Sequence, residues 1–116
     1  MTDSEIKHQI INEDTVRIST GNVLDNDNVH HMVDLITTLQ EKKYKYLLVN
    51  MEALEFISSS GVGSILGTVE TSREMGGDII LYNLVDSVMN VFQVLDLTDY
   101  LTIRNKYEEV KELCNL

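Results

Sequence analysis

The chain has 116 residues, 43% of them hydrophobic and 24% charged, which is enough for one domain with its own core over residues 1–116 and too few for two. Nineteen acidic residues against nine basic give a net charge of −10, which argues against nucleic-acid binding, because phosphate backbones are met by Lys/Arg patches. No apolar run approaches the roughly 20 residues of a bilayer span, so no membrane insertion is expected.

The start, Met1-Thr2-Asp3-Ser4-Glu5, is acidic and lacks the basic-then-apolar order of a secretory leader. The single cysteine, Cys114, can form no internal disulfide and suits a reducing cytoplasm. On its helix stripe it reads as a buried or half-buried structural thiol.

Ile6, His8 and Ile10 alternate with Lys7 and Gln9, and after Asn12-Glu13-Asp14 the alternation resumes at Val16 and Ile18. This is a β-hairpin pattern with one apolar face, and it makes His8 a structural histidine on that face or near the sheet edge. Gly21 to Asn28 reads as a polar connection carrying Asp25 and Asp27. From Val29 to Lys43, the residues Val29, Met32, Val33, Ile36 and Leu39 form a helical stripe. The following Lys42-Lys43-Tyr44-Lys45 complements the dipole at that helix C-terminus. His30 and His31 are adjacent, about 100° apart on a helix, and no ligand set forms around them, so no metal is expected.

Tyr46 to Met51 is a continuous apolar strand of the kind covered on both faces. Beyond the serines, Val62, Ile65, Leu66 and Val69 lie at i, i+3, i+4 and i+7, and Gly76-Gly77 suits a left-handed helix end. Asp78 to Asn83 is a second buried strand. Val88, Val91, Phe92 and Leu95 mark a third helix. A short strand near Tyr100 to Ile103 and a helix carrying Tyr107, Val110 and Leu113 complete the chain. The order β-β-α-β-α-β-α-β-α implies an α/β fold with a mostly parallel sheet of about five strands and about four helices.

Between the first long strand and its helix stands Phe56-Ile57-Ser58-Ser59-Ser60-Gly61-Val62-Gly63. Serine is a favoured N-cap because its hydroxyl accepts from an otherwise unpaired amide of the first turn. The same place, at the positive end of the helix dipole, tolerates added negative charge. Two readings are therefore open, a plain capping run and a phosphoacceptor. Gly61-Val62-Gly63 followed by Gly67 falls short of a dinucleotide loop because Leu66 occupies the third small-residue place, and no cofactor is expected. The glycines read instead as letting the helix start tightly and pack near its neighbours. Nor is Ser59 a hydrolase nucleophile elbow: Ile57 replaces the first glycine, and all three histidines precede the serines. No enzymatic activity is expected.

The string Val49-Asn50-Met51-Glu52-Ala53-Leu54-Glu55-Phe56-Ile57-Ser58-Ser59-Ser60-Gly61-Val62-Gly63 resembles the signature of the anti-sigma factor antagonists of the STAS-domain family, in which a strand leads through Phe-hydrophobic-Asp-Ser-Ser-Gly-hydrophobic-Gly into a helix. The likeness continues through Arg73 to Leu84 and Val88 to Leu97, and runs from about Val16 to Ile103. It implies a single STAS-like domain. It also implies a cytoplasmic bacterial regulator whose unphosphorylated form binds an anti-sigma factor, itself a serine kinase, and frees a sigma factor. A serine phosphatase would restore the unmodified form.

By the same resemblance the phosphoserine falls on Ser59, with Ser58 and Ser60 the other candidates, and Ser60 serves helix entry. Asp25, Ser58, Ser59, Ser60, Gly61 and Val62 are the implied partner-binding residues. This chain departs from the pattern in two places: Ser58 stands where the family has aspartate, and Leu24 where it has an acidic residue, with Asp25 one place later. The other reading of the resemblance is a nonphosphorylated STAS adaptor in a lipid-transport or signalling complex, in which the serines only cap.

Overall fold

The computed structural model describes residues 5–116. The hairpin strands are β1 (Lys7–Asn12) and β2 (Thr15–Ser19), followed by a two-residue strand β3 (Val23–Leu24) and helix α1 (Val29–Glu41). Then come β4 (Tyr46–Asn50), a second short strand β5 (Phe56–Ile57), α2 (Ser59–Glu74), β6 (Asp78–Tyr82), α3 (Asp86–Val94), β7 (Thr102–Arg104) and α4 (Tyr107–Cys114). Strands order as β1-β2-β4-β6-β7, with β1 antiparallel to β2 and the other pairs parallel. The fold is thus α/β, with a mixed five-stranded sheet and four helices.

Each parallel step moves one place along the sheet in the same direction. Since β-α-β crossovers are right-handed, the helices of successive steps fall on one face. Val16, Ile18, Leu47, Val49, Ile79 and Leu81 point to that face and pack with Met32 and Ile36 of α1, Ile65 and Val69 of α2, and Val88 and Phe92 of α3. Fully burying an aliphatic or aromatic side chain of this kind contributes about 1.5–3 kcal/mol. The alternate residues Leu48, Ile80 and Tyr82 point the other way and meet Val110 of α4 in a smaller cluster. The continuous apolar run of β4 therefore has the reason inferred for it, cover on both faces.

A buried amide fixes α1 against α2: Gln40 Nε2 donates to Thr68 O at 2.9 Å and to Ser72 Oγ at 3.0 Å. Gly76 adopts φ +89°, the left-handed turn expected after α2. A Cβ on Gly77 would come within 2.1 Å of Lys45 O, so glycine there lets β6 start against β4.

Three expectations need correction. His8 lies at the sheet edge, one of its two expected places, but the apolar face expected at β1 is not covered there: His8 and Ile10 are both exposed, Ile10 at 57%. Of Ile6, His8 and Ile10, only Ile6 packs on the core. The Lys42–Lys45 cluster follows α1 rather than forming its last turn: Lys42 is the C-cap, Lys43 turns at φ +75°, and Lys45 pairs with Asp14 at 3.9 Å. The third concerns the stretch from Gly21 to Asn28, which is not only a connection. It holds β3, which pairs in parallel with β5, Val23 opposite Phe56 and Leu24 opposite Ile57.

Candidate functional site

The β3–β5 pair builds the site. Glu55 N and Ser58 N donate to Asn22 O at 2.8 Å and Leu24 O at 2.9 Å, so the loop carrying Asp25 is laid directly against the start of α2. Gly61 is needed for this approach. A Cβ there would stand 2.7 Å from Ile57 Cγ1 and 2.8 Å from Leu24 O. Gly61 and Val62 are buried, so these two implied partner-binding residues support the site from beneath instead of facing outward.

Each of the three serines has a separate place. Ser58 is the N-cap, with extended backbone and its Oγ accepting from Gly61 N at 3.2 Å. Helix entry thus belongs to Ser58, not to Ser60. A serine cap does what the family's aspartate would do for Gly61 N–H, without the charge. Ser60 Oγ lies 2.8 Å from Ser58 Oγ and donates to Asn26 Oδ1. Because Ser60 spends its one proton on Asn26, the bond between the two serines is donated by Ser58. The result is a directed chain from Ser58 through Ser60 to Asn26. Ser59, the first helical residue, is exposed, and its hydroxyl makes no hydrogen bond among the described residues.

The electrostatics favour an added anion at Ser59. The first turn of α2 contains no acidic residue, so its dipole is uncompensated by a carboxylate. Further out, Glu52 and Glu55 are exposed, and so is Phe56, at 56%. The β5 segment meets the start of α3, where Ser87 Oγ donates to Glu55 O at 3.3 Å and Val85 is also exposed. An exposed apolar stretch at Phe56 and Val85, with Glu55 beside Phe56 in the chain, therefore leads up to the serines.

Asp25 is near the site but is committed to its loop. Its carboxylate accepts from Asp27 N at 3.0 Å, its own N–H donates to Asn28 Oδ1 at 2.9 Å, and its carbonyl accepts from Val29 N at 2.9 Å. The side chain that crosses from this loop to the serines is Asn26, which the sequence reading missed. Its only signal was its place one residue beyond Asp25.

The expectation that the glycines pack near their neighbours holds for Gly61 and fails for Gly63 and Gly67. Neither packs closely on anything, since a Cβ on either would meet nothing within 4 Å. They follow Ser59 at i+4 and i+8, which leaves bare backbone on the exposed face next to it. His30 and His31 stack on one another at 4.1 Å, both exposed.

The model of the STAS domain matches residues 9–110. The anti-sigma-B factor antagonist of Listeria monocytogenes is 22% identical over 101 residues, covering 87% of each chain. Among solved structures, the anti-sigma factor antagonist SpoIIAA in its unphosphorylated form superposes with a TM-score of 0.84 at 26% identity, covering 97% of this chain and 98% of that one. The Bacillus cell-fate determinant SpoIIAA in its phosphorylated form gives 0.74 at 25% identity, covering 94% and 99%. With the sheet order, the serine-capped helix and this match over most of its length, the chain belongs to the STAS domain family.

Proposed function

We propose that this protein is an anti-sigma factor antagonist that acts by binding, and that phosphorylation of Ser59 switches it off. The unmodified chain docks on an anti-sigma factor that is also a serine kinase, and a sigma factor is released. A serine phosphatase reverses the modification, and the cycle runs in the cytoplasm. The observation that carries this reading is the hydroxyl of Ser59: exposed and unengaged at a helix N-terminus without a first-turn carboxylate, beside two serines whose hydroxyls are tied up. The names of the relatives, and the existence of one neighbour in phosphorylated form, support it.

The switch needs no refolding. Phosphate brings about −1.5 to −2 charges, which the free amides and dipole of the first turn receive with little strain. The cost falls on the docked partner, which must meet a bulky dianion on a surface that already carries the exposed Glu55, four residues before Ser59. A penalty of about 1.4 kcal/mol already lowers affinity tenfold. Bare backbone at Gly63 and the exposed Phe56 and Val85 give the partner a close and partly apolar landing.

Calorimetric titration against the anti-sigma factor encoded in the same genome tests this reading. Wild type and Ser59→Ala should bind, and Ser59→Asp should bind at least about tenfold more weakly with an unchanged far-UV CD spectrum. Equal affinity of Ser59→Asp and wild type would remove Ser59 from the interface.

A further inference from the structure

On the sheet face opposite α1–α3, the register aligns a transverse row of polar residues, Lys7, Ser19, Asn50, Tyr82 and Arg104, one from each strand. The helix α4 covers the β6 and β7 end of this face and leaves the β1 and β2 end open. Arg17 stands in the adjoining row, opposite Leu48. Its guanidinium lies 5.3 Å from the centre of the Tyr107 ring of α4 and donates to Gln9 Oε1 at 2.6 Å. Among the described residues no carboxylate is within ion-pair distance of Arg17, nor of Lys7 or Arg104.

Beneath Arg17 lies an orphaned donor. Tyr82 is 1% exposed, and its hydroxyl has no hydrogen-bond partner. Arg17 approaches that hydroxyl without meeting hydrogen-bond geometry. Burial pushes the hydroxyl pKa up to about 12, against the opposing pull of the Arg17 cation. A buried hydroxyl left unpaired is costly unless something else completes it. The Tyr82 and Tyr107 rings pack at 5.5 Å, which holds the hydroxyl in place below the guanidinium.

We propose that this face holds a binding site for a small free oxyanion of the phosphate type, held by the Arg17 guanidinium and the polar row from Ser19 to Asn50, with the Tyr82 hydroxyl uncovered to it as Arg17 turns toward the anion. A guanidinium presents a fork of donors that fits two oxygens at once, and only one of its N–H groups is taken by Gln9. Lys7 and Arg104 at the two ends of the row add long-range attraction. Glu52, exposed and 3.4 Å from Asn50 Nδ2, opposes it from the rim. The site is on the face of the sheet turned away from the helical layer that contains Ser59, and it does not rest on the proposed switch.

The test is an NMR titration of the full chain with inorganic phosphate near neutral pH, with chloride at matched ionic strength as the control. Saturating shifts are expected at the amides of Arg17, Ser19, Asn50 and Tyr82, with chloride giving none that saturate. Arg17→Gln should weaken binding about tenfold or more, and Arg17→Lys should weaken it less but measurably, because it keeps the charge and loses the fork. Tyr82→Phe should also weaken binding while its melting temperature does not fall, since the hydroxyl it removes has no partner in the free protein. Glu52→Gln should tighten binding. Shifts confined to Ser59, Ser60 and Gly61, equal responses to chloride, or unchanged affinity in both Arg17→Lys and Tyr82→Phe would overturn the site.

Discussion

Replacing Ser58 tests how the chain manages without the family's aspartate. Ser58→Ala deletes the acceptor for Gly61 N–H, and Gly61 is buried, so that amide is left without a partner. Loss of a serine cap costs about 1 kcal/mol within a range of 0.5–2, and an unsatisfied buried amide about 1–3. These describe the same event, so the expected loss is about 1–2 kcal/mol rather than their sum. At about 4 °C per kcal/mol for a chain of this size, the melting temperature should fall by about 4–8 °C.

Ser58→Asp should move the other way. The carboxylate still accepts from Gly61 and adds about 0.3–1 kcal/mol by facing the helix dipole, a rise of about 1–4 °C. It should also make phosphate on Ser59 harder to bear, by about 1 kcal/mol of repulsion between neighbouring groups near the surface. Thermal melts followed by CD, on wild type and both variants, with and without phosphate, give all the signs. A Ser58→Ala melt that coincides with wild type, or a Ser58→Asp melt below it, would refute the capping argument.

The glycines of α2 should split by packing. Gly63→Ala and Gly67→Ala should each gain about 0.5–1 kcal/mol, because the new methyl meets nothing, while Gly61→Ala should lose about 1–3 kcal/mol against Ile57 and Leu24. Melting temperatures shifted in one direction by all three would contradict this. Tyr82 predicts an alkaline limit. Its folded pKa of about 12 exceeds the unfolded value of 10.0, so its stabilising effect is complete below pH 10 and is lost as pH rises through about 12. Tyr82→Phe should flatten the stability profile in that window, and identical profiles would exclude the burial as cause. Cys114 is half-buried and burial raises its thiol pKa, so alkylation by iodoacetamide at mildly alkaline pH should be slower in the folded chain than in urea. Equal rates would place the thiol in open solvent.

The long elements were legible because their periodicity reflects which face they bury. Val16 and Ile18 on β2, Met32 and Ile36 on α1, and Ile65 and Val69 on α2 all pack where their spacing puts them. The two-residue strands β3 and β5 were not legible, since a pair such as Val23-Leu24 or Phe56-Ile57 is too short to show a period. That gap hid the device that sets Asn26 beside Ser60. His8 and Ile10 misled because alternation reports a face, and whether anything covers that face at a sheet edge depends on the helices packed elsewhere. At the serines the sequence marked the cluster, but the order of hydroxyl bonds depends on the fold that brings Asn26 across: Ser58 caps, Ser60 meets Asn26, and Ser59 has no partner among the described residues.

That free hydroxyl is also the most direct place to test the account. The chain should be incubated with ATP and the kinase-type anti-sigma factor from its own genome, then mapped by tandem mass spectrometry. One phosphate is expected, on Ser59, lost in Ser59→Ala and retained in Ser60→Ala. Phosphate on Ser58 or Ser60, or none at all with a kinase that binds the chain, would contradict it.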